Sequence, residues 1–317
     1  MNAVKKIHDV EKVREDFEKL IENLSKVLKE ERPRTNILST KLWQIKKELS
    51  NFDNLDRHAL AKLVEIVVKY NTINNLFSSN IDYNKKDLIK IIEGTSNYIE
   101  DTNDTYNDHF FELSMGIRFS LAFQNQNAKI NLASICDIII DDKIAVECKY
   151  IHSLSNIMKN IKKAREQIDT RISNNQAQIG FIALDLSNVC ARDRISEFAD
   201  YTFKKFIENY EILESKGHLK GDLADRILRD RNFTAIVANY ATLELETALH
   251  SELGFSYKMP FHTKAIIFQS LNSFAFEYKG KIKPMTTRGT TYFINENLLQ
   301  DEALMTKKFI HSLAVGV

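Results

Sequence analysis

The stretch from residue 137 to residue 186 constrains the fold of this chain more than any other. Two short apolar runs, residues 138–140 and 144–146, are separated by Asp141-Asp142-Lys143, a pattern that predicts a β-hairpin. An amphipathic segment follows over residues 154–172, and then a continuous apolar run over residues 179–186. Strand, helix and buried strand in this order predict a βαβ crossover with parallel strands, which is right-handed in nearly all proteins.

The remaining segments predict mostly helices, with more strands near the end. Amphipathic helices are expected around residues 7–31, 38–50, 56–77, 85–99 and 107–119, and further helices over about 195–255 and 298–313. Strand-like runs lie at residues 265–268, 274–278 and 290–294 and can extend the same sheet. The predicted fold class is α/β, a mixed β-sheet flanked by helices and preceded by an N-terminal helical module.

A polar stretch over residues 100–105 has no apolar anchor and predicts a linker or loop. We therefore divide the chain into a helical module, residues 1–103, and a second domain, residues 104–317, with a helical insertion at about 195–255. The first helix carries apolar residues at alternating spacings of three and four, a heptad-like pattern. That face either packs on its own chain or forms a coiled coil that makes a homodimer.

Composition excludes several classes of protein. No run of 18 apolar residues occurs, and charges interrupt the first ten residues, so neither a membrane span nor a signal peptide is expected and a cytoplasmic protein is favoured. Three cysteines, Cys136, Cys148 and Cys190, are expected to be reduced. The net charge is +1, so any basic surface that binds nucleic acid must be local.

Isolated charges stand in the apolar hairpin. Asp137 precedes the first run, and Glu147 and Lys149 follow the second on one face of the strand, because side chains alternate faces. A three-residue loop pairs Ile140 with Ile144. It then places Asp137 opposite Glu147, roughly 5 Å away between Cβ atoms. Charges near a core are costly unless paired or bound to metal, so these residues predict a functional site.

Two converging carboxylates repel each other unless a cation lies between them. Mg²⁺, with Mn²⁺ as the alternative, takes one or two carboxylates together with waters and phosphate oxygens. Asp137 and Glu147 therefore predict a divalent-metal site that hydrolyses phosphodiesters, with Lys149 positioning water or offsetting transition-state charge. The backbone carbonyl of Cys148 projects toward the same side and is a further candidate metal ligand.

Asp137, nine intervening residues and then Glu147-Cys148-Lys149 resemble the core signature of the PD-(D/E)xK, or restriction-endonuclease-like, nuclease superfamily. The resemblance covers about residues 106–190. It implies a core of helix, β-meander, crossover helix and strand, and an Mg²⁺-dependent nuclease acting on DNA in restriction, phage defence, repair or mobile-element processing. Many members carry a Glu on the first helix. Glu112 stands at the matching place and is expected to be a further catalytic carboxylate, as a metal ligand or by positioning water, although Cys136 replaces the Pro of the signature.

Three other acid-x-Lys triplets occur, at residues 141–143, 214–216 and 277–279. The first is the hairpin turn and the second a polar helix end, while the third lies in a strand-like run without an upstream Asp. Only the triplet at 147–149 has an opposed Asp, a preceding helix with a Glu and a following crossover helix. The site is therefore assigned to that triplet.

The crossover helix carries a locally basic face that is expected to contact phosphates. The candidate nucleic-acid-binding residues are Lys159, Lys162, Lys163, Arg165 and Gln167, the last as a hydrogen-bonding partner of the site. A solvated helix face is the alternative. Two functional alternatives also stay open: a noncatalytic nucleic-acid-binding or assembly protein with a nuclease-like sheet, and an RNase.

Overall fold

The computed structural model describes residues 4–79, 81–94, 97, 105–123, 127–133, 137–254 and 257–313. The strands are β1 (Val4–Ile7), β2 (Ile81–Asp82), β3 (Ile130–Asn131), β4 (Ile138–Ile140), β5 (Ile144–Tyr150), β6 (Ile179–Asp185), β7 (Thr263–Tyr278) and β8 (Lys281–Ile294). The α-helices are α1 (Val10–Glu31), α2 (Lys41–Ser50), α3 (Arg57–Asn71), α4 (Lys85–Lys90), α5 (Tyr106–Ala122), α6 (Ile157–Ser173), α7 (Arg192–Ser215), α8 (Leu223–Arg229), α9 (Arg231–Leu253) and α10 (Gln300–Ser312).

These strands form one mixed sheet of eight strands in the order β1-β8-β7-β6-β5-β4-β3-β2. Alternate residues of β6 pack in two different hydrophobic cores. Phe181 and Ala183 pack in the core that contains α1 to α5, and Ile182 and Leu184 pack in the core that contains α6 to α9. The predicted α/β class with a mixed sheet and flanking helices is thereby confirmed.

The predicted central hairpin is confirmed, together with its register. β4 and β5 are antiparallel, and Ile140 pairs with Ile144. Asp141 and Asp142 both adopt a positive φ, at 51° and 53°, which closes the tight three-residue turn. The turn therefore fixes the register that brings Asp137 opposite Glu147.

The predicted crossover is also present, since β5 and β6 are parallel from Ile144↔Ile179 to Tyr150↔Asp185. Helix α6 connects them and buries an apolar face on the sheet. Gly180 permits this close approach, because a Cβ there would lie 2.3 Å from a methyl carbon of Ile168. Packing of α6 on β5 fixes the start of the helix beside the end of that strand.

The end of the sheet differs from the prediction. The runs at residues 265–268 and 274–278 are one continuous strand, β7, and β8 begins at Lys281, well before residue 290. The residues between the two runs belong to the strand, where the side chain of Gln269 is buried and donates a hydrogen bond of 2.8 Å to Asp185. Lys279 and Gly280, both at positive φ, form the turn.

The heptad-like face of α1 is buried within this chain. Val13, Phe17, Leu20 and Leu24 are at most 6% exposed, and the helix packs against α2, α3 and α4. Packing on its own chain is confirmed for this face, and the structure gives no support for the coiled-coil homodimer. The helix begins at Val10 behind the N-cap Asp9, since the preceding residues form β1 beside β8.

The predicted domain boundary at residues 103 and 104 cannot be located, because residue 103 and most of the polar stretch lie outside the described residues. On its two sides the chain contributes to the same sheet and the same core, since β2 pairs with β3 and α1 packs in the cluster that contains Ile138. The helix predicted over residues 85–99 ends at Lys90. Within the described ranges, no helix is both long and apolar enough to cross a membrane.

Candidate active site

Asp137 and Glu147 lie next to each other at the end of the β4–β5 hairpin. The ladder runs to Ile138↔Val146, and its continuation by one residue brings Asp137 opposite Glu147. An Oδ2 atom of Asp137 accepts a hydrogen bond of 2.6 Å from the backbone N–H of Cys148, which holds the carboxylate against β5. The Glu147 side chain is fully buried and that of Asp137 is 15% exposed.

Lys149 connects the two carboxylates. Its Nζ atom lies 3.2 Å from Asp137 Oδ2, 3.3 Å from Glu147 Oε2 and 2.9 Å from the backbone carbonyl oxygen of Cys148. Burial acts to lower the pKa of Lys149, but the charges of Asp137 and Glu147 outweigh it and the pKa is raised. The ammonium group is therefore charged and sits among three oxygen atoms.

Cys148 contributes to this site through its backbone. Its N–H donates to Asp137 and its carbonyl accepts from Lys149, while its side chain lies in the core with Val146. Burial raises the pKa of the thiol well above its ordinary value, so the sulfur is neutral. Cys136, the residue before Asp137, lies outside the described residues.

Glu112 stands on α5 with its side chain 29% exposed. Burial raises the pKa of this carboxyl, the nearby imidazole of His109 opposes the rise, and the charge of Asp137 adds to it. The His109 Nδ1 atom lies 3.6 Å from Glu112 Oε2, and this contact with the carboxylate raises the pKa of His109. Within the described part of the chain, no three His, Cys, Asp or Glu side chains are grouped to hold a metal ion, so Glu112 stands apart from the oxygens around Lys149.

A groove with a volume of ≈ 700 Å³ opens beside these residues. Its walls include Lys149 and Glu112 and the basic residues Lys159, Lys162 and Lys163 of α6. These three lysines are exposed and form no ion pair with another described residue. Arg165 and Gln167 lie farther along α6, outside the groove walls, and the Gln167 Oε1 atom is buried without a hydrogen-bond partner among the described residues.

Sequence reasoning missed two residues of the groove, Asp108 and His152. His152 Nε2 lies 3.6 Å from Asp108 Oδ2, and the imidazole packs edge-on against Tyr150 with ring centroids 5.1 Å apart. A signal for Asp108 was available, because it precedes Glu112 by four residues and so shares its helix face. His152 follows β5 by two residues, and nothing in its local pattern distinguishes it.

Comparisons of this chain with protein-family models, with curated proteins and with solved structures gave no match. The resemblance to the PD-(D/E)xK superfamily therefore stays a prediction that depends on the residues of the hairpin and of α5.

Proposed function

We propose that this protein is a divalent-metal-dependent nuclease that hydrolyses phosphodiester bonds, with DNA as the expected substrate. The proposal depends on one observation above all. Two carboxylates and a backbone carbonyl converge on the ammonium group of Lys149, and Lys149 lines a groove whose walls also carry three exposed lysines. Acidic residues beside a basic wall suit a reaction in which a cation and a phosphodiester must occupy one place.

The donor chemistry fits Mg²⁺ or Mn²⁺. Asp137, Glu147 and the carbonyl of Cys148 offer the oxygen donors that these hard cations prefer. When bound, the ion supplies Lewis acidity toward the phosphodiester. The neutral, buried thiol of Cys148 leaves only its carbonyl as a donor.

The remaining roles in the reaction are assigned to side chains of this protein. Lys149 donates hydrogen bonds to phosphate oxygens or to the attacking water and offsets negative charge in the transition state. Glu112, whose pKa is raised, is suited to accept the proton of that water. Lys159, Lys162 and Lys163 bind the phosphates of neighbouring nucleotides, in the manner expected for the restriction-endonuclease-like fold.

A noncatalytic nucleic-acid-binding protein is the second candidate. The observation that favours it is the absence, from the described residues, of a three-residue His, Cys, Asp or Glu cluster. Such a protein needs the lysines of the groove but has no use for the ion, so its binding of nucleic acid would not depend on Asp137.

The experiment that separates the candidates uses the full-length protein with linear, supercoiled and single-stranded DNA and with RNA, in Mg²⁺, Mn²⁺ or EDTA. Asp137→Asn is compared with Asp142→Asn, which makes the same change at an exposed aspartate of the same hairpin. We expect cleavage that EDTA and Asp137→Asn abolish and that Asp142→Asn leaves intact. Cleavage that survives both treatments would exclude this site, cleavage of RNA alone would identify an RNase, and binding without cleavage would favour the second candidate.

A further inference from the structure

The Lys149 ammonium group occupies the place where a divalent cation would be held. Its Nζ atom contacts Asp137 Oδ2, Glu147 Oε2 and the Cys148 carbonyl oxygen at 3.2, 3.3 and 2.9 Å. These are the same three oxygen donors that the proposed function assigns to the metal. Because Mg²⁺ binds oxygen at about 2.0–2.1 Å, an ion coordinated by these atoms and the ammonium group exclude each other.

The charge balance of the site explains why the Lys149 ammonium group lies between the two carboxylates. Glu147 is fully buried, and Asp137 is held against β5 by a backbone hydrogen bond, so both carboxylates stay near each other with or without a metal ion. Two such anions need a cation between them. In the metal-free protein that cation is Lys149.

The groove offers a second position for the ammonium group. Lys149 is 14% exposed and belongs to the groove wall, together with the carboxylates of Asp108, Glu112 and Glu166. A lysine ammonium group stands on a flexible four-carbon stem, so it can leave the two buried carboxylates and stay near other acidic groups. In that second position it lies where the proposed function requires it, beside a bound phosphodiester.

We propose that Lys149 is an internal counter-ion that competes with the divalent cation for Asp137, Glu147 and the Cys148 carbonyl, and that metal binding moves its ammonium group into the groove. This inference depends on the proposed metal site. Loading is an exchange of one cation for another, with no covalent bond made or broken in the protein. Metal affinity is accordingly set in part by the cost of releasing Lys149.

The test measures Mn²⁺ affinity by isothermal titration calorimetry in the full-length protein. Lys149→Met keeps much of the length of the side chain and removes its charge, and we expect it to bind Mn²⁺ at least about tenfold more tightly, since a neighbouring like charge commonly shifts an ion equilibrium by one unit or more. Lys143→Met, at an exposed lysine of the same hairpin turn, is the matched control and should keep the wild-type affinity. An equal or weaker affinity in Lys149→Met would overturn the inference.

Asp137→Asn in the same titration separates this inference from the proposed function. If Asp137→Asn abolishes Mn²⁺ binding while Lys149→Met leaves it unchanged, the metal site stands and the competition is wrong. If Asp137→Asn binds Mn²⁺ like the wild type, the metal site itself is wrong.

A second measurement needs no substitution at Lys149. The ¹⁵Nζ resonance of Lys149 in the wild-type protein, followed during a titration with diamagnetic Mg²⁺, should move from a buried, hydrogen-bonded value to that of an exposed lysine. A resonance that stays unchanged while Mg²⁺ binds would contradict the displacement.

Discussion

The candidate active site and a second buried cluster, formed by Glu65, Lys62 and Arg192, use buried carboxylates in opposite ways. Arg192 Nη1 lies 2.9 Å from one carboxylate oxygen of Glu65, and Lys62 Nζ lies 3.2 Å from it. Burial acts to raise the pKa of Glu65, but Arg192 and Lys62 outweigh it and hold the pKa at about 2. In the candidate active site, by contrast, burial and the charge of Asp137 raise the pKa of Glu112.

The difference distinguishes a structural ion pair from the ligand site that we propose. Glu65 has two cations for one carboxylate, and its partner Arg192 comes from a helix 127 residues away in sequence. Asp137 and Glu147 share the ammonium group of Lys149, which borders the open groove, so in our proposal a divalent cation can take the place of that group. The cluster around Glu65 stabilises the fold. The pair of carboxylates Asp137 and Glu147 lowers stability, and ligand binding can offset that loss.

The largest effect on stability is expected for Arg192→Met. Removing the guanidinium group takes the closest ion-pair partner from the buried carboxylate of Glu65, which should lower the free energy of unfolding by about 3 kcal/mol. Urea unfolding at pH 7 measures this change. The double variant Glu65→Leu/Arg192→Met should lose less than the single one, because no charge is left buried. A loss below about 1 kcal/mol in Arg192→Met would show that the Glu65 cluster resembles an exposed ion pair.

Asp137→Asn should show the reverse, a large loss of activity with little change in stability. We expect cleavage to fall by at least about 10²-fold, a size that changes in the outer ligand shell of metal sites already reach. The amide oxygen can still accept the hydrogen bond from Cys148, so the urea midpoint should move little. A destabilisation as large as that of Arg192→Met would remove the distinction between the two clusters.

The sequence was sufficient to predict that Asp137, Glu147 and Lys149 lie together, because the geometry of this candidate site is local. A three-residue turn and the two-residue period of a strand together place Asp137, Glu147 and Lys149, and neither depends on the rest of the fold. Glu112 required a resemblance to known nucleases, because nothing in the period of α5 indicates which of its polar residues faces the hairpin.

The sequence was insufficient where contacts join distant segments. The pairing of Glu65 with Arg192 depends on how α3 and α7 pack, and the several charged residues of each helix give no sign of which two will pair. β1 has only four residues, and it is a strand because β8 lies beside it. The continuity of β7 depends on β6 and the loop after it, because Gln269 donates to Asp185 and the backbone N–H of Leu271 donates to the hydroxyl of Ser187.

The two clusters should also respond to pH with opposite sign. The folded pKa of Glu65 lies below its ordinary value of 4.5, so its contribution is present above pH 4.5 and is lost as the pH falls toward about 2, a change of roughly 3 kcal/mol. The folded pKa of Glu112 lies above 4.5, so its ionisation lowers stability as the pH rises through that value. Unfolding of the wild type, Glu65→Gln and Glu112→Gln from pH 2 to pH 8 measures both.

The expected curves are specific to each variant. The stability advantage of the wild type over Glu65→Gln should shrink as the pH falls from 4.5 to about 2. Glu112→Gln should instead gain on the wild type as the pH rises above 4.5. Slopes of the same sign in the two variants would mean that Glu112 is stabilised in its charged form, and the groove would then lose its proposed base.

The smallest effect is expected at the lysines of the groove, where no buried charge is involved. The triple variant Lys159→Gln/Lys162→Gln/Lys163→Gln should weaken binding of a single-stranded oligonucleotide and reduce the slope of log affinity against log salt concentration by about 2, or about 0.7 for each phosphate that is no longer neutralised. Fluorescence anisotropy in an Asp137→Asn background measures binding without cleavage. A second triple variant, Lys19→Gln/Lys26→Gln/Lys29→Gln on α1, removes the same charge away from the groove walls. If the two triple variants have equal salt slopes, the affinity for nucleic acid depends only on the net charge of the protein. The groove beside Lys149 would then not be the binding site.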